Sequence, residues 1–212
     1  MIIQKHNHLI LNNFRRLMKT PDKHSKIIKA AVKVFASKGF FNARISDIAK
    51  EAAVADGTIY LYFNNKFDIL ISVFEEEIGN FINGVKELIA QEDDPRRMLE
   101  IFAQRHLIMM KDNKDLAEII QMELRQSNKL IKEYRNTKFS EYLDIISAII
   151  KKGQQKGIFR KDIKPGIAKR AFFGALDEMA RIWVLTPTAP YDTEETARQI
   201  SNIFMHGVLA KT

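Results

Sequence analysis

Length, composition and charge exclude several classes of protein before any motif is considered. The chain has 212 residues, 46% hydrophobic residues and no cysteine. It can therefore bury a core in one large or two small domains, but it can form neither a disulfide framework nor a thiolate metal site. No stretch approaches about eighteen consecutive apolar residues, and no signal peptide is recognisable, so we expect no transmembrane helix and a cytoplasmic protein.

The net charge of +8 is concentrated at one end of the chain. Residues 1–66 contain twelve lysines and arginines against four acidic residues, a balance of +8, whereas residues 67–212 contain 22 of each, a balance of zero. A basic excess confined to one end is typical of a segment that binds nucleic acid.

Residues 1–20 form an N-terminal extension without a decisive pattern. The extension could be an amphipathic helix, a basic arm that reaches DNA or a disordered tail, and translation could instead start at Met18. His6 and His8 could chelate a metal, but they lack cysteine or carboxylate neighbours, so we expect no metal site there.

The first predicted helix runs from Asp22 to Lys38 and stops at Gly39. Its apolar residues recur at helical spacing: Ile27, Ala31, Val34 and Phe35. This helix is expected to pack across the back of the segment that follows.

The stretch Ile45–Lys66 has the pattern of a helix-turn-helix. We expect Ser46 to be the N-cap of a short helix, a tight connection at residues 53–54, and a second short helix from residues 56–58. Two short helices joined in this way place the second helix in the major groove of duplex DNA.

Several side chains of this stretch can contact DNA. Thr58 and Tyr62, four residues apart, are expected to share a helix face, with Tyr60 offset toward the bases or the opposite strand, and Lys66 to meet a phosphate. Arg44 is placed to touch the DNA backbone, although an ordinary surface arginine fits equally well. The candidate DNA contacts are Arg44, Ser46, Ala55, Asp56, Gly57, Thr58, Tyr60, Tyr62 and Lys66.

These residues also carry a family resemblance. The consecutive runs SDIAKEA and AVADGTIYLYFNNK resemble the DNA-binding domain of TetR-family transcriptional regulators. One position departs from the family, which often has glycine where this chain has Ala53, and a left-handed backbone there costs a non-glycine residue roughly 1–2 kcal/mol. The resemblance implies an all-α, TetR-like fold of about nine helices. It divides the chain into an extension (1–20), a helix-turn-helix DNA-binding domain (21–66) and a ligand-binding and dimerisation domain (67–212).

The remainder of the chain is predicted to be helical, with no strand pattern and no internal repeat. The expected helices cover residues 66–90, 95–111, 116–127, 130–156, 165–185 and 193–209. Pro165 stands at a favoured first position, Asp192 resembles a cap, and Gly157 ends a helix. The long helix at 66–90 connects the basic region to the neutral one, so its tilt would move the recognition helix.

No motif indicates catalysis. The chain lacks a glycine-rich phosphate loop, a nucleophile elbow and a helical zinc-binding pair. His106 and the pair Asp177–Glu178 could act in acid–base chemistry, but a lone histidine among phenylalanine and methionine is more typical of a core or pocket. We therefore expect no enzyme, no cofactor and no metal.

The neutral part of the chain is rich in methionine and phenylalanine, which can line an adaptable apolar cavity or simply form a core.

The segments ELRQSN, starting at Glu123, and GALDE, starting at Gly174 and followed by Trp183, are similar to TetR-type repressors of fatty-acid degradation that respond to long-chain acyl-CoA. The resemblance implies a long-chain acyl-CoA effector. Arg125 is the first candidate to bind its anionic head, although a salt bridge within the chain fits that residue equally well. The candidate ligand contacts are Phe102, His106, Met109, Met122, Arg125, Asn128, Phe172, Phe173, Asp177 and Trp183.

The expected partners are a palindromic DNA operator and a second copy of the chain. The last two predicted helices offer small and apolar residues for an isologous contact: Ala168, Ala171, Ala175, Ile200 and Phe204. Two alternatives remain open at this point, a repressor that senses another hydrophobic compound, of the multidrug type, and a dimeric DNA-binding protein without a ligand.

Overall fold

The computed structural model describes residues 21–126, 137–186 and 191–209. These residues form nine α-helices and one isolated antiparallel bridge, between Phe159 and Leu209, so the predicted all-α fold is confirmed. The helices are α1 (Pro21–Lys38), α2 (Ile45–Glu51), α3 (Asp56–Ile59), α4 (Lys66–Ala90), α5 (Pro95–Asp112), α6 (Lys114–Gln126), α7 (Thr137–Gln155), α8 (Pro165–Leu185) and α9 (Thr193–Val208). Among the described residues, no helix has the length and apolar character needed to cross a membrane.

The chain divides into two compact units, and the division falls between Val73 and Phe74. It therefore lies inside α4, beyond the predicted boundary at Lys66. We refer to residues 21–73 as the N-terminal unit and to the described residues from Phe74 onward as the body.

Helices α1, α2 and α3 and the start of α4 form the N-terminal unit. The helix α1 ends at Lys38 as predicted, because Gly39 adopts a left-handed φ of 72° that an L side chain rarely adopts. Buried apolar residues of this unit lie on α1, α2, α3 and α4 and in the turn after α3: Ile27, Ile28, Ala31, Phe35, Ile48, Ile59, Phe63, Ile69 and Leu70.

The start of α2 differs from the prediction. The N-cap position belongs to Arg44, and Ser46 lies inside the helix and is exposed. The residue that stabilises this helix end is Asp47, whose carboxylate accepts the backbone N–H of Arg44 at 3.0 Å. An acidic residue at the third helical position can reach back to the N-cap backbone, so Ser46 is not needed as a cap.

The turn between α2 and α3 has the strained backbone that the sequence suggested. Ala53 has a φ of 53°, in the left-handed region. The next residue, Val54, donates its N–H to the carbonyl of Ala49 at 2.9 Å and closes the turn. Since no other non-glycine residue with positive φ occurs in the described part of the chain, the strain is local to this turn.

The body is built around two central helices. The helix α5 packs against α6, α7, α8 and α9, and α8 packs against α5, α6, α7 and α9. Aromatic rings dominate the centre: Phe102 lies 5.1 Å from Tyr142 and 6.4 Å from Phe172 between ring centroids. These ring contacts limit where a cavity can open inside the body.

The ends of the body helices mostly follow the sequence signals. Asp192 accepts the N–H groups of Glu194 and Glu195 at 2.9 and 3.1 Å, so the predicted cap of α9 is confirmed. Gly157, with a φ of 72°, follows the end of α7. The predicted segment 130–136 lies outside the described residues, and α7 is described from Thr137.

Candidate functional site

The surface around α3 presents most of the predicted DNA contacts. Ala55, Asp56 and Gly57 are exposed, and a Cβ placed on Gly57 would meet no atom within 4 Å. Tyr60 is 58% exposed, whereas Thr58 is half-buried. The exposed backbone of Gly57 can approach a partner closely.

The two tyrosines of this surface have different surroundings. The helix α3 ends at Ile59, so Tyr60 and Tyr62 lie in the turn that follows, and helical spacing does not place them on faces as we predicted. Tyr62 donates its backbone N–H to the Ile59 carbonyl at 3.0 Å, and its ring lies 6.1 Å from that of His24 on α1. Tyr60 therefore faces solvent, whereas Tyr62 contributes to packing inside the unit.

Lys66 has a structural role that the sequence did not indicate. Its Nζ donates to the carbonyls of Phe40, Phe41 and Ala43 at 2.5, 3.1 and 2.7 Å, and it lies 4.6 Å from the centroid of the Phe40 ring. An ammonium has three N–H donors, and these three carbonyls use all of them. In this arrangement Lys66 ties α4 to the loop between α1 and α2 rather than offering a donor to a phosphate.

Ion pairs account for part of the charge on the N-terminal unit. Lys33 pairs with Glu51 at 3.1 Å and Lys38 with Asp47 at 2.7 Å. The hydrogen bonds from Lys38 and from the Arg44 backbone lower the pKa of the Asp47 carboxyl. Residues 21–66 carry eight basic and four acidic side chains, a balance of +4, so a basic excess remains on this unit.

A narrow cavity of about 20 Å³ lies inside the body. Helices α4 to α8 all contribute to its wall, which is aromatic, aliphatic and thioether in character apart from three residues with polar groups. The lining residues are Ile78, Phe81, His106, Met109, Met110, Ile120, Phe139, Tyr142, Phe173 and Asp177. The volume is about the room of one water molecule.

A buried polar pair stands in this wall. Tyr142 Oη lies 2.6 Å from His106 Nδ1, and both residues are buried. Burial lowers the pKa of His106 from 6.5 to about 4, against the opposing effect of the nearby Asp177 charge. Burial raises the pKa of the Tyr142 phenol well above its usual range, and Asp177 acts in the same direction. Both partners are therefore neutral near pH 7.

Aromatic rings surround Tyr142 on several sides. Its ring centroid lies 5.1 Å from those of Phe81 and Phe102, 5.7 Å from Phe173 and 6.0 Å from Phe139. Such close packing holds the phenol in one position, so His106 meets a fixed partner.

The cavity contains some of the predicted ligand residues and not others. His106, Met109, Phe173 and Asp177 line it. Phe102 and Phe172 are fully buried in the core behind the wall, and Trp183 is not among the lining residues. These aromatic side chains pack between helices, as most aromatic residues on buried helix faces do. The side chains of Met122 and Arg125, and the whole of Asn128, lie outside the described residues.

The sequence alone did not single out Tyr142. It lies on α7 within an apolar stripe at helical spacing. A tyrosine hydroxyl buried in such a stripe requires a hydrogen-bond partner, and this requirement is the feature of the sequence that could have indicated it. Ile78 and Phe81 on α4 were assigned only to a helix face, because their cavity neighbours are distant in sequence.

Exposed faces of α8 and α9 carry small and apolar residues. On α8, Ile167 is 66% exposed, and Ala171 and Ala175 are exposed; on α9, Ile203 is 75% exposed. Two predicted interface residues do not belong to these faces. Ala168 is buried inside the body. The ring of Phe204 packs 4.8 Å from that of Phe172, because this side of α9 faces α8.

The described residues contain no group of three or more histidine, aspartate or glutamate side chains arranged to hold a metal ion. The fold combines a short helix pair with a helical body that contains an apolar cavity. Residues 27–73 match the family of bacterial regulatory proteins, tetR family, and residues 74–207 match the C-terminal region of YsiA-like proteins. The chain belongs to the TetR family of regulators.

Particular members of the family are similar over nearly the whole chain. The fatty acid metabolism regulator protein of Bacillus subtilis (strain 168) is 36% identical over 186 residues, which cover 88% of this chain and 95% of that protein. The crystal structure of the regulator FadR from Bacillus subtilis in complex with stearoyl-CoA matches with a TM-score of 0.81 at 36% identity, over 86% of this chain and 98% of that one. The fatty acid degradation regulator FadR from Bacillus halodurans matches with a TM-score of 0.83 at 36% identity, over 89% and 97% of the two chains.

Proposed function

We propose that this protein is a transcriptional repressor of fatty-acid metabolism genes that releases its operator when it binds a long-chain acyl-CoA. The observation that carries the proposal is the similarity, in sequence and in fold, to a regulator whose crystal structure contains stearoyl-CoA. The ELRQSN and GALDE segments indicate the same effector class.

The chemistry of the cavity supports an acyl chain. Thioether and aromatic side chains of Met109, Met110 and Phe81 can adapt to a flexible hydrocarbon. Each buried methylene contributes roughly 0.8 kcal/mol, so a chain of about sixteen carbons supplies most of the affinity and an acetyl group supplies almost none.

The size of the cavity supports coupling between the ligand and the fold. Pockets that hold small ligands usually measure about 300–1,000 Å³, far above the 20 Å³ between these side chains. An acyl chain can enter only if the lining side chains and their helices move apart. Because α4 supplies Ile78 and Phe81 to the wall and also begins within the N-terminal unit, that movement can change the DNA-binding unit.

The DNA-binding side of the proposal rests on the exposed surface around α3. Tyr60 and Gly57 are exposed there, and Arg44 is exposed at the start of α2. The carboxylate of Asp56 repels phosphate but can accept a hydrogen bond from a cytosine amino group. We therefore expect Asp56 to contact the edge of a base rather than the DNA backbone. Ala55, Ser46 and Thr58 complete this proposed surface.

A homodimer on a palindromic operator is part of the same proposal. A short helix such as α3 makes few contacts, and two copies can meet successive major-groove faces. The exposed faces of α8 and α9, with Ile167, Ala171, Ala175 and Ile203, suit an isologous contact between two copies. Replacing Ile203 by arginine is expected to give monomers in sedimentation velocity, whereas Leu88→Arg, at an exposed apolar residue on α4, is expected to leave dimers.

Linkage gives the size of the expected response. A ligand that binds better to one geometry of the body must weaken DNA binding by the same factor. A coupling of about 1–3 kcal/mol corresponds to a release of about 5- to 150-fold. Arg125 remains the proposed contact for the phosphates of CoA, because a guanidinium can hold a phosphate with two hydrogen bonds.

The test is a titration of a protein–operator complex, with the operator first selected from a random duplex library. Palmitoyl-CoA is expected to release the DNA, and palmitate, acetyl-CoA and CoA are expected to release it far less. Arg125→Ala is expected to bind the operator normally and to lose the response. If no long-chain acyl-CoA releases the wild-type protein, the proposed effector is wrong. If both proteins respond equally, only the role of Arg125 is wrong.

A further inference from the structure

One polar atom of the cavity wall has no hydrogen-bond partner. His106 is 2% exposed, it lines the cavity, and its Nε2 is buried without a partner among the described residues. A buried polar atom left unpaired is costly, and buried polar groups are nearly always paired in native proteins. Such an atom at a cavity wall is a candidate for contact with a bound ligand.

The contact with Tyr142 determines what this atom can offer. If the Tyr142 hydroxyl donates to Nδ1 of His106, then the proton of the neutral imidazole is on Nε2, and a single donor is left unpaired. If Nδ1 donates instead, both the hydroxyl proton and the Nε2 lone pair are left unpaired, since Tyr142 is enclosed by aromatic rings. The first arrangement leaves fewer unpaired groups. His106 therefore presents an N–H donor at the cavity wall.

An N–H donor in an apolar cavity selects a ligand with one acceptor at a defined point. In an acyl-CoA, the acceptor attached directly to the hydrocarbon chain is the thioester carbonyl. The half-buried Asp177 also lines the cavity and acts electrostatically on His106, so the polar part of the wall lies around His106, where the polar CoA part would begin.

We propose that Nε2–H of His106, oriented by Tyr142, donates a hydrogen bond to the thioester carbonyl of the bound acyl-CoA. This inference rests on the proposed function and adds one contact to it, between Nε2 of His106 and the thioester oxygen. His106 and Tyr142 thus set specificity for a thioester, in addition to the apolar wall that binds the chain.

The surroundings of the pair favour a neutral carbonyl over the carboxylate of a free fatty acid. The Asp177 charge acts on both His106 and Tyr142, so a carboxylate placed beside His106 would meet a like charge. The buried imidazole is neutral and cannot compensate with a positive charge. The thioester carbonyl accepts the same hydrogen bond without that repulsion.

The test compares two ligands that differ only at this carbonyl. Palmitoyl-CoA and its thioether analogue S-hexadecyl-CoA share the chain length and the CoA head, but the thioether has no carbonyl oxygen. Calorimetric titration of the wild-type protein is expected to give an affinity for palmitoyl-CoA on the order of tenfold higher than that for S-hexadecyl-CoA, the usual effect of leaving a buried donor unpaired.

The double variant His106→Phe/Tyr142→Phe removes the donor and its partner together. It is expected to bind both ligands with nearly equal affinity. The matched control, Phe139→Leu, alters the same wall without touching a polar group, and it is expected to keep the tenfold preference while changing both affinities alike. A preference that persists in the double variant would show that another donor holds the carbonyl.

A measurement on the wild-type protein keeps the inference testable if the double variant does not fold. With palmitoyl-CoA labelled by ¹³C at the carbonyl, the infrared carbonyl stretch is expected to fall on binding, as it does on hydrogen bonding. Binding of both ligands with equal affinity would overturn this inference and leave the proposed function in place. Binding of neither ligand would overturn the proposed function as well.

Discussion

The N-terminal unit and the body are stabilised in different ways. In the N-terminal unit, α2 has 7 residues and α3 has 4. Lys66 donates to three carbonyls of the loop between α1 and α2, and Asp47 accepts the N–H of Arg44 at the start of α2. In the body, α4 to α9 are longer and pack around aromatic rings.

The two ways of stabilisation suit different tasks, holding a fixed geometry in the N-terminal unit and adapting to a ligand in the body. Helices of four to seven residues are not stable by themselves, so their orientation depends on their buried apolar residues and on a few directional hydrogen bonds, which hold one geometry. Apolar packing is not directional, so a body of methionine and phenylalanine can rearrange around a chain. Five predictions test this contrast, from the largest expected effect to the smallest.

Phe102→Ala is expected to have the largest effect, a loss of about 3–5 kcal/mol in the free energy of unfolding. Phe102 is fully buried and contacts Phe81, Tyr142 and Phe172. Urea denaturation measures the loss. Phe41→Ala, at a side chain that is 72% exposed, is the control and is expected to change stability by less than about 0.5 kcal/mol. A similar small loss at Phe102 would mean that the body does not depend on its aromatic centre.

Acid is expected to destabilise the body through His106. In the unfolded chain this histidine takes up a proton near pH 6.5, but in the folded protein only near pH 4. The contribution of the neutral His106 to the free energy of unfolding is therefore complete above pH 6.5. It decreases as the pH falls from 6.5 toward 4, by about 3 kcal/mol in total. Urea titrations at several pH values should show this loss in the wild type and not in His106→Phe. Parallel pH profiles for the two proteins would contradict the buried neutral histidine.

Lys66→Met is expected to lower the stability of the N-terminal unit by about 2 kcal/mol, because it leaves three carbonyls without their charged donor. Thermal unfolding followed by circular dichroism measures it, with Lys50→Met, at an exposed lysine on α2, as the charge-matched control. If Lys66→Met retains full stability and only loses DNA affinity, the original interpretation of Lys66 as a phosphate contact is correct.

Ala53→Gly is expected to increase stability by up to about 1 kcal/mol, because glycine adopts the φ of 53° at this position without the steric cost that alanine has. The gain is partly offset by the greater freedom of glycine in the unfolded chain. Ala36→Gly, inside α1, is expected to destabilise instead, because glycine inside a helix costs about 1 kcal/mol relative to alanine. The two midpoints of thermal unfolding should move in opposite directions.

Tyr60→Phe is expected to have the smallest effect, a loss of a few-fold in operator affinity with unchanged stability. The hydroxyl belongs to a side chain that is 58% exposed, and one hydrogen bond contributes about 0.5–1.5 kcal/mol. Fluorescence anisotropy with labelled operator measures the affinity. Tyr191→Phe, at a tyrosine of the body that is 61% exposed, should bind DNA like the wild type, and equal affinity in all three proteins would remove Tyr60 from the DNA contacts.

The sequence by itself determined features that depend on neighbours along the chain. Gly39 and Gly157 end helices because only glycine adopts their backbone conformation easily, and Asp192 caps α9 because its carboxylate reaches N–H groups two and three residues ahead. The helical spacing of apolar residues indicated the all-α class, and the runs SDIAKEA and AVADGTIYLYFNNK indicated the family by resemblance. Each of these signals lies within one helix or turn.

The tertiary structure alone decided which side chains meet across the fold. Lys66 finds carbonyls 23 to 26 residues away, and Tyr142 finds His106 at a separation of 36. Helical spacing shows that Phe102, Phe139 and Tyr142 face inward, but not which of them reaches the cavity and which fills the core behind it. That depends on how α5 and α7 pack, and packing sums many weak contacts between residues that are distant in sequence. The cavity and its one unpaired donor therefore appear only when the helices are assembled.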